Sequence, residues 1–374
     1  MRVIVPLAFF ALLLFGGIGN NGVSSAACKA CHPLIYAEYY DSMHAKASVA
    51  DDPVHRAVWK KHPLHKKGAY AACAKCHTPE HQDGKADAHE AISCLYCHQI
   101  ADIQEGKKSN TNIMSTHRDT LYGARTSQKG QKDVGYEAEH SFFGFVTKKR
   151  GSPYHRIDFS NENYYNAKIC TGCHSHKENK HGFRVCDSEI DGVQSDKNCI
   201  DCHMPKLQGS FTTLKDSVVH RYHGFSGVSQ KPELAAKYIA ITLQKEGDNN
   251  FSVVIKNGAS HALLLHPLRL GELHVEITRK GKTVRLSPVR FVRLIGKEGK
   301  PTPPWIATET VKDTQIGAHQ SRSVTYDYAL QSGDIVEITL GFYKVNPKAA
   351  KKLGIEDKAL TTFHILKKVT VTVE

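Results

Sequence analysis

The sequence predicts an α+β chain in two domains: short helices and loops over residues 28–230, then an immunoglobulin-like β-sandwich over residues 231–374. Three observations predict it. The pattern Cys-x-x-Cys-His is written five times up to His203 and not once after it. In that same stretch apolar residues recur at helical spacing only in short patches, between polar loops rich in His, Lys and Tyr. From Pro232 onward the texture changes to short runs rich in Val, Ile and Thr, in which apolar and polar residues alternate.

Residues 1–27 read as a secretory signal. Arg2 opens a short basic start, Val3 to Phe15 is nearly all apolar, and small residues follow from Gly16 to Ala27. Cleavage is expected after Ala26 or Ala27, with an uncleaved anchor as the alternative. Ser25-Ala-Ala-Cys28 also resembles a lipoprotein cleavage site, but Ser25 stands where Leu is usual. The apolar stretch is short for a membrane span, and nothing after it is long and apolar enough to be one. The expectation is an exported protein, periplasmic or extracellular, with no integral membrane segment once the signal is removed.

The five motifs are Cys28–Cys31–His32, Cys73–Cys76–His77, Cys94–Cys97–His98, Cys170–Cys173–His174 and Cys199–Cys202–His203. This is the attachment signature of c-type haem: the two thiols add across the two vinyl groups, and the adjacent His ligates the iron from below. A zinc site or a disulfide framework also uses Cys-x-x-Cys pairs, but neither needs a His after every pair. Five covalently bound haems are expected, and their porphyrins supply apolar mass that the first domain's own residues need not. Cys186 is the one thiol left over: a redox-active or substrate-binding thiolate, a distal ligand, an intermolecular disulfide partner, or simply a tolerated thiol.

A haem with one ligand binds small molecules, whereas one with two mostly moves electrons, so the second ligands decide the function class. After the signal only Met43, Met114 and Met204 remain, too few for five haems, whereas His is abundant. Bis-His ligation is the default, and it favours lower potentials than His/Met. Among the lone histidines, His117, in Ser115-Thr-His117-Arg, is a candidate ligand with His62, His65 and His140 as rivals. Clustered His62, His65, His81 and His89 otherwise read as surface, and His266, His274, His319 and His364 as β-domain surface or core.

Several segments resemble the multihaem superfamily of hydroxylamine oxidoreductases, their tetrahaem electron-carrier relatives and, more distantly, pentahaem nitrite reductases. They are Tyr36 through Asp41-Ser-Met-His44-Ala, Cys73-Ala-Lys-Cys-His-Thr-Pro79, Ser152-Pro-Tyr-His155, Cys199 through His203-Met-Pro205, and His223-Gly-Phe-Ser-Gly227. The resemblance covers most of residues 28–230 and implies that His44, His155 and His223 are distal ligands to haems other than those nearest in sequence. It also implies a fourth: Asn257-Gly-Ala-Ser-His261 with Arg269 echoes a pattern in relatives whose His reaches a haem, although Ser260 replaces Gly and a following Pro-Thr is missing. The enzymatic branches do not carry over. The nitrite reductases use Cys-x-x-Cys-Lys, hydroxylamine oxidoreductases hold eight haems, and every motif here ends in His.

Element by element, Leu34 to Ala50 is predicted helical, with Ile35, Tyr39 and Met43 on one face. Strands are predicted at Tyr238–Leu243, Phe251–Ile255, Leu273–Thr278, Val289–Ile295, Ser323–Tyr328, Ile335–Phe342 and Phe363–Val373. A hairpin turn is predicted over Arg279-Lys-Gly-Lys282 and a stiff loop over Gly299 to Pro304. About seven such strands suggest the immunoglobulin-like sandwich.

The formal charge of +13 invites a nucleic-acid partner, but haem propionates offset much of it, and none is expected. Residues 231–374 stay basic, with 22 Lys and Arg against 14 Asp and Glu. The expected partners are redox proteins and, in a filament-forming version, copies of the chain. The leading function is electron relay in anaerobic or extracellular respiration. The alternatives are an oxidoreductase with one open haem acting on a small nitrogen or sulfur compound, and haem used only as structural mass.

Overall fold

The computed structural model describes residues 24–80, 90–140, 146–188, 197–214 and 218–374. Most of the expected signal, His81 and His89 lie outside the described residues, as does the side chain of His140. Among the described residues no helix is long and apolar enough to cross a membrane.

The first part is built from short pieces. Its helices are α1 (Pro33–Asp41), α2 (Pro53–Lys61), α3 (Ala71–His77), α4 (Cys94–His98) and α5 (Cys199–His203). Two-stranded ribbons fill the gaps, such as Ile100–Gln104 with Thr111–Met114 and His176–Glu178 with Arg184–Asp187. The predicted helix from Leu34 to Ala50 stops at Asp41. Ser42 is fully buried, its N–H closes back on Tyr39 O at 2.8 Å, and its hydroxyl accepts from Ala45 N at 3.2 Å. A side chain that bonds its own backbone competes with helix, and here the resulting turn aims His44 inward. Buried apolar clusters in this part are small: Val49, Trp59, Tyr70 and Ala74 in one, Tyr96, Ile100 and Ile103 in another.

The second part is strand after strand. First come β1 (Ile239–Lys245), β2 (Phe251–Asn257), β3 (Leu270–Arg279), β4 (Lys282–Arg285) and β5 (Val289–Phe291). Then follow β6 (Arg293–Lys297), β7 (Lys300–Pro301), β8 (Glu309–Asp313), β9 (Ser321–Tyr326), β10 (Ile335–Tyr343) and β11 (Phe363–Thr372). One sheet has the order β1-β2-β9; a second has β4-β3-β10-β11 with β5 on β3; a small third has β7-β6-β8. Phe251, Val253 and Ile255 from the first sheet share one buried cluster with Leu273, Val275, Ile277, Val336, Ile338, Leu340 and Phe342 from the second. These are the alternate residues of each strand, as a period of two requires. Register locks them in pairs, Leu273 on Leu340, Val275 on Ile338 and Ile277 on Val336.

Two expectations are corrected. The predicted strand Val289–Ile295 breaks at Val292, whose N–H and carbonyl are both taken by Thr314, so the chain crosses from the second sheet to the third. The predicted stiff loop at Gly299 is a tight hairpin, with Glu298 and Gly299 at φ 53° and 70°. The turn at Lys280-Gly281 has positive φ at both central residues, the backbone that suits a two-residue hairpin and that Gly281 makes accessible. The two parts are clasped: the Asn179 amide donates to Pro304 O at 2.8 Å and Ala307 O at 2.7 Å, and His62 packs edge-on against Trp305.

Candidate haem-binding site

Residues i, i+3 and i+4 share one side of a helical turn. A Cys-x-x-Cys-His written on such a turn therefore delivers two thiols and an imidazole together. The second, third and fifth motifs lie in α3, α4 and α5, and the first and fourth run through single 3-10 turns at Ser25–Ala30 and Lys168–Gly172. His32 N and His174 N each close back on the first Cys of their motif at 2.8 Å. Caps fix the starts: Ser93 Oγ accepts from Tyr96 N, and Asn198 with Asp201 forms a reciprocal capping box.

Four of the five motif histidines are tied through Nδ1 to a backbone carbonyl. The bonds run from His32 to Phe211 at 2.6 Å, His98 to Tyr122 at 2.7 Å, His203 to Ser226 at 2.6 Å and His77 to Ala47 at 3.1 Å. Donating Nδ1–H fixes the ring and leaves the Nε2 lone pair free, which is how metal-bound histidines are held. Burial pulls the His77 pKa down to about 3 and lowers those of His98 and His174, keeping the rings neutral.

Four of these rings face a second imidazole. His174 and His44 bring their Nε2 atoms to 3.5 Å, with ring centres 5.8 Å apart. His32 faces His155 at 6.5 Å, His98 faces His223 at 6.4 Å, and His203 faces His261 at 6.0 Å between ring centres. Two metal–imidazole bonds of about 2 Å each put the nitrogens about 4 Å and the ring centres about 6 Å apart. Three of the four facing rings are also held by Nδ1: His155 on Arg156 O, His223 on Arg221 O and His261 on Ala262 O. Burial is the main cause holding His44 at about 3 and His223 at about 4. Thiol pairs, neutral rings and free nitrogens together fit haem.

The second motif differs. His77 has His55 beside it with ring centres only 4.0 Å apart, and both Nδ1 atoms reach the same carbonyl, Ala47 O, at 3.1 and 3.0 Å. Rings on opposite sides of one iron would hold their Nδ1 atoms about 8 Å apart, too far to share an oxygen. His55 is thus a neighbour of His77, its Nε2 3.4 Å from the Tyr70 hydroxyl. His266 also lies near His77, but its Nδ1 accepts from Leu268 N, which puts the proton on Nε2.

The sequence offers His117 as a candidate distal ligand. It sits exposed on a turn made by Ser115 Oγ, close to Asp133, and faces none of the motif rings. His62 and His65 pack on Trp59. Cys186 lies in a ribbon opposite Lys177.

Residues that sequence reasoning missed do the positioning. The Glu38 carboxylate, on α1, accepts from His220 Nε2 at 2.8 Å and from the His223 backbone N–H at 2.9 Å. His220 Nδ1 reaches Gly209 O at 3.2 Å. Asn112 donates to the Tyr96 hydroxyl at 2.9 Å and touches Cys173 Sγ, packing so close to Gly172 that no side chain fits at that position. Thiols from different motifs also lie side by side: Cys28 near Cys94, Cys76 near Cys173, and Cys170 near Cys199. Neighbouring motifs therefore abut.

Residues 27–99, which hold the first three motifs, match the family described as cytochrome c554 and c-prime. No curated protein matches the chain. The fold is similar to a penta-heme cytochrome c552 from Thermochromatium tepidum, with TM-score 0.71 and 21% identity over 94% of this chain and 99% of that one. A superoxide reductase from Nanoarchaeum equitans aligns over 36% of this chain and 90% of its own at 10% identity, with a TM-score of 0.19, too low to carry an argument.

Proposed function

We propose that this chain, a multihaem c-type cytochrome with covalently attached haem, relays electrons through five haems, at least four of them bis-His. The observation that carries the reading is the set of four facing imidazole pairs at 5.8–6.5 Å. Bound haem supplies a one-electron change at iron. The chain's part is to hold each imidazole neutral and aimed, to keep ligands and small molecules off the occupied faces, and to abut motif against motif so that transfer distances stay short. The abutting thiols link the first motif to the third, the second to the fourth, and the fourth to the fifth. Bis-His ligation favours low potentials. Attachment of c-type haem fits an exported protein, periplasmic or extracellular, with redox proteins as partners. Self-assembly into a filament is the extreme form of that partnership, read directly by electron microscopy of the purified holoprotein.

The β-rich part reads as an immunoglobulin-like sandwich. The order β1-β2-β9 against β4-β3-β10-β11 corresponds to strands A-B-E against C′-C-F-G. In this reading it serves as a scaffold that lends His261 to the cytochrome part.

A second reading is favoured by the second motif. With His55 beside His77 instead of across from it, that haem is open on one face, and the protein acts on a small nitrogen or sulfur compound while the other haems feed it. Electron paramagnetic resonance of the oxidised holoprotein separates the two. Low-spin signals from every haem, unmoved by cyanide or nitrite, establish the pure relay. A high-spin signal worth one haem and shifted by ligand establishes the open site. High-spin signals from several haems would sink the bis-His assignment.

A further inference from the structure

Arg269 lies just before β3, on a segment that is tightly held. Its N–H donates to His266 O at 2.9 Å, and the carbonyl of Leu268 accepts from Asn346 N at 2.6 Å. Other arginines in this protein have visible partners: Arg279 makes two bonds to Asp334, and Arg125 bonds Gln128 and lies over Phe211. Among the described residues, no carboxylate or carbonyl bonds the Arg269 guanidinium. Its titratable neighbours are histidines, His261 and His266, which burial keeps neutral. Burial alone pulls its pKa from 12.5 down to about 10, with no acid nearby to oppose the shift. A partly buried cation without a counter-charge is costly, and guanidinium is the group best shaped to grip a carboxylate with two parallel bonds.

We propose that Arg269 is the ion-pair partner of a propionate on the haem held between His203 and His261. This rests on the bis-His reading of that pair. The β-rich part then gives this haem both a ligand and a counter-charge. Neutralising the propionate removes a negative charge that would otherwise favour ferric over ferrous iron, so Arg269 raises that haem's potential.

The test is a spectroscopically monitored redox titration of the full-length holoprotein. Arg269→Gln should retain its haem content and low-spin signals while one reduction wave falls by at least tenfold in its equilibrium constant, or 59 mV for one electron. His261→Met, which changes that haem's ligand, marks its wave, and the wave that moves in Arg269→Gln must be the marked one. No wave moving, or a different wave moving, overturns the proposal. A His261→Met protein spectrally identical to wild type sinks the ligation reading and the proposal with it. If the glutamine variant does not mature, Arg269→Lys decides alone. Keeping the charge but losing the two-bond grip should lower the same wave about threefold, and a lysine variant identical to wild type overturns the proposal.

Discussion

Glu38 binds two things at once, the His220 imidazole and the backbone N–H of His223 just before Gly224, and both belong to one segment. Replacing it with Gln keeps the shape but not the charge. With His220 side chain almost wholly buried against it, Glu38→Gln should cost about 1.5–3 kcal/mol, the range for hydrogen bonds to a charged group. Denaturant unfolding reads the loss, and a broadened low-spin signal from one haem reads the loosened His223. A variant with wild-type stability and spectrum would show that Glu38 merely fills space. Asp334 offers a pH test in the other part. Two bonds from Arg279, with the Gln331 N–H, hold its carboxyl below the usual range. A depressed carboxyl contributes stability above its unfolded pKa of about 3.9 and loses it as pH falls through the folded value. Asp334→Asn should therefore be less stable than wild type at neutral pH, and the gap should close below about pH 4. A gap that persists into acid would mean the ion pair is not its source. At this scale the cysteines and their adjacent histidines were legible because the chemistry writes them side by side. The facing of His44 and His174, 130 residues apart, has no local pattern; resemblance offered His44 as a ligand but not this partner. Glu38, in Tyr-Ala-Glu-Tyr-Tyr, carries no signal at all, because nothing in its neighbourhood distinguishes it from a solvated helix face.

Strands were legible where one face is buried and the other is not. β2, β3 and β10 alternate because their alternate residues enter the shared core, and each was found close to its observed bounds. β4 is exposed along its whole length, so it offers no alternation to read. β8 is irregular against β6, and no periodicity marked it. The helix after the first motif was overextended because apolar spacing continues through Met43, while Ser42 ends the helix by bonding its own backbone. The end of β2 matters most for the site. The buried Asn257 amide shares its hydrogens among His261 O, Ile316 O and Gly317 O at 2.8–3.1 Å, fixing the loop that presents His261. Asn257→Ala orphans these carbonyls at about 1–3 kcal/mol. It should also turn one low-spin haem partly high-spin; full retention of the low-spin signal would separate the loop's anchoring from its ligand's aim.

Across the whole molecule the two parts differ in what holds them together. The β-rich part has one continuous core contributed by both sheets. The other has clusters of three or four residues, too small to stabilise a chain of that length without added apolar mass. A variant with all ten motif cysteines changed to alanine should therefore keep a cooperative unfolding transition from residues 231–374 and lose it elsewhere. Circular dichroism during thermal unfolding, with proteolysis to map what resists, reads the outcome. Resistance across the whole chain would mean that the first part folds without its cofactor.

His203 closes the first part and His261 belongs to the second, yet their rings face each other across 6.0 Å. That pair spans the seam between the two parts, as do the Asn179 bonds to Pro304 and Ala307. Separating the parts would pull one imidazole away from its counterpart well before either part unravelled. With one haem ligated by both rings, as proposed above, absorption colour and magnetism would then change, which would make the seam a built-in strain gauge whose reading is optical.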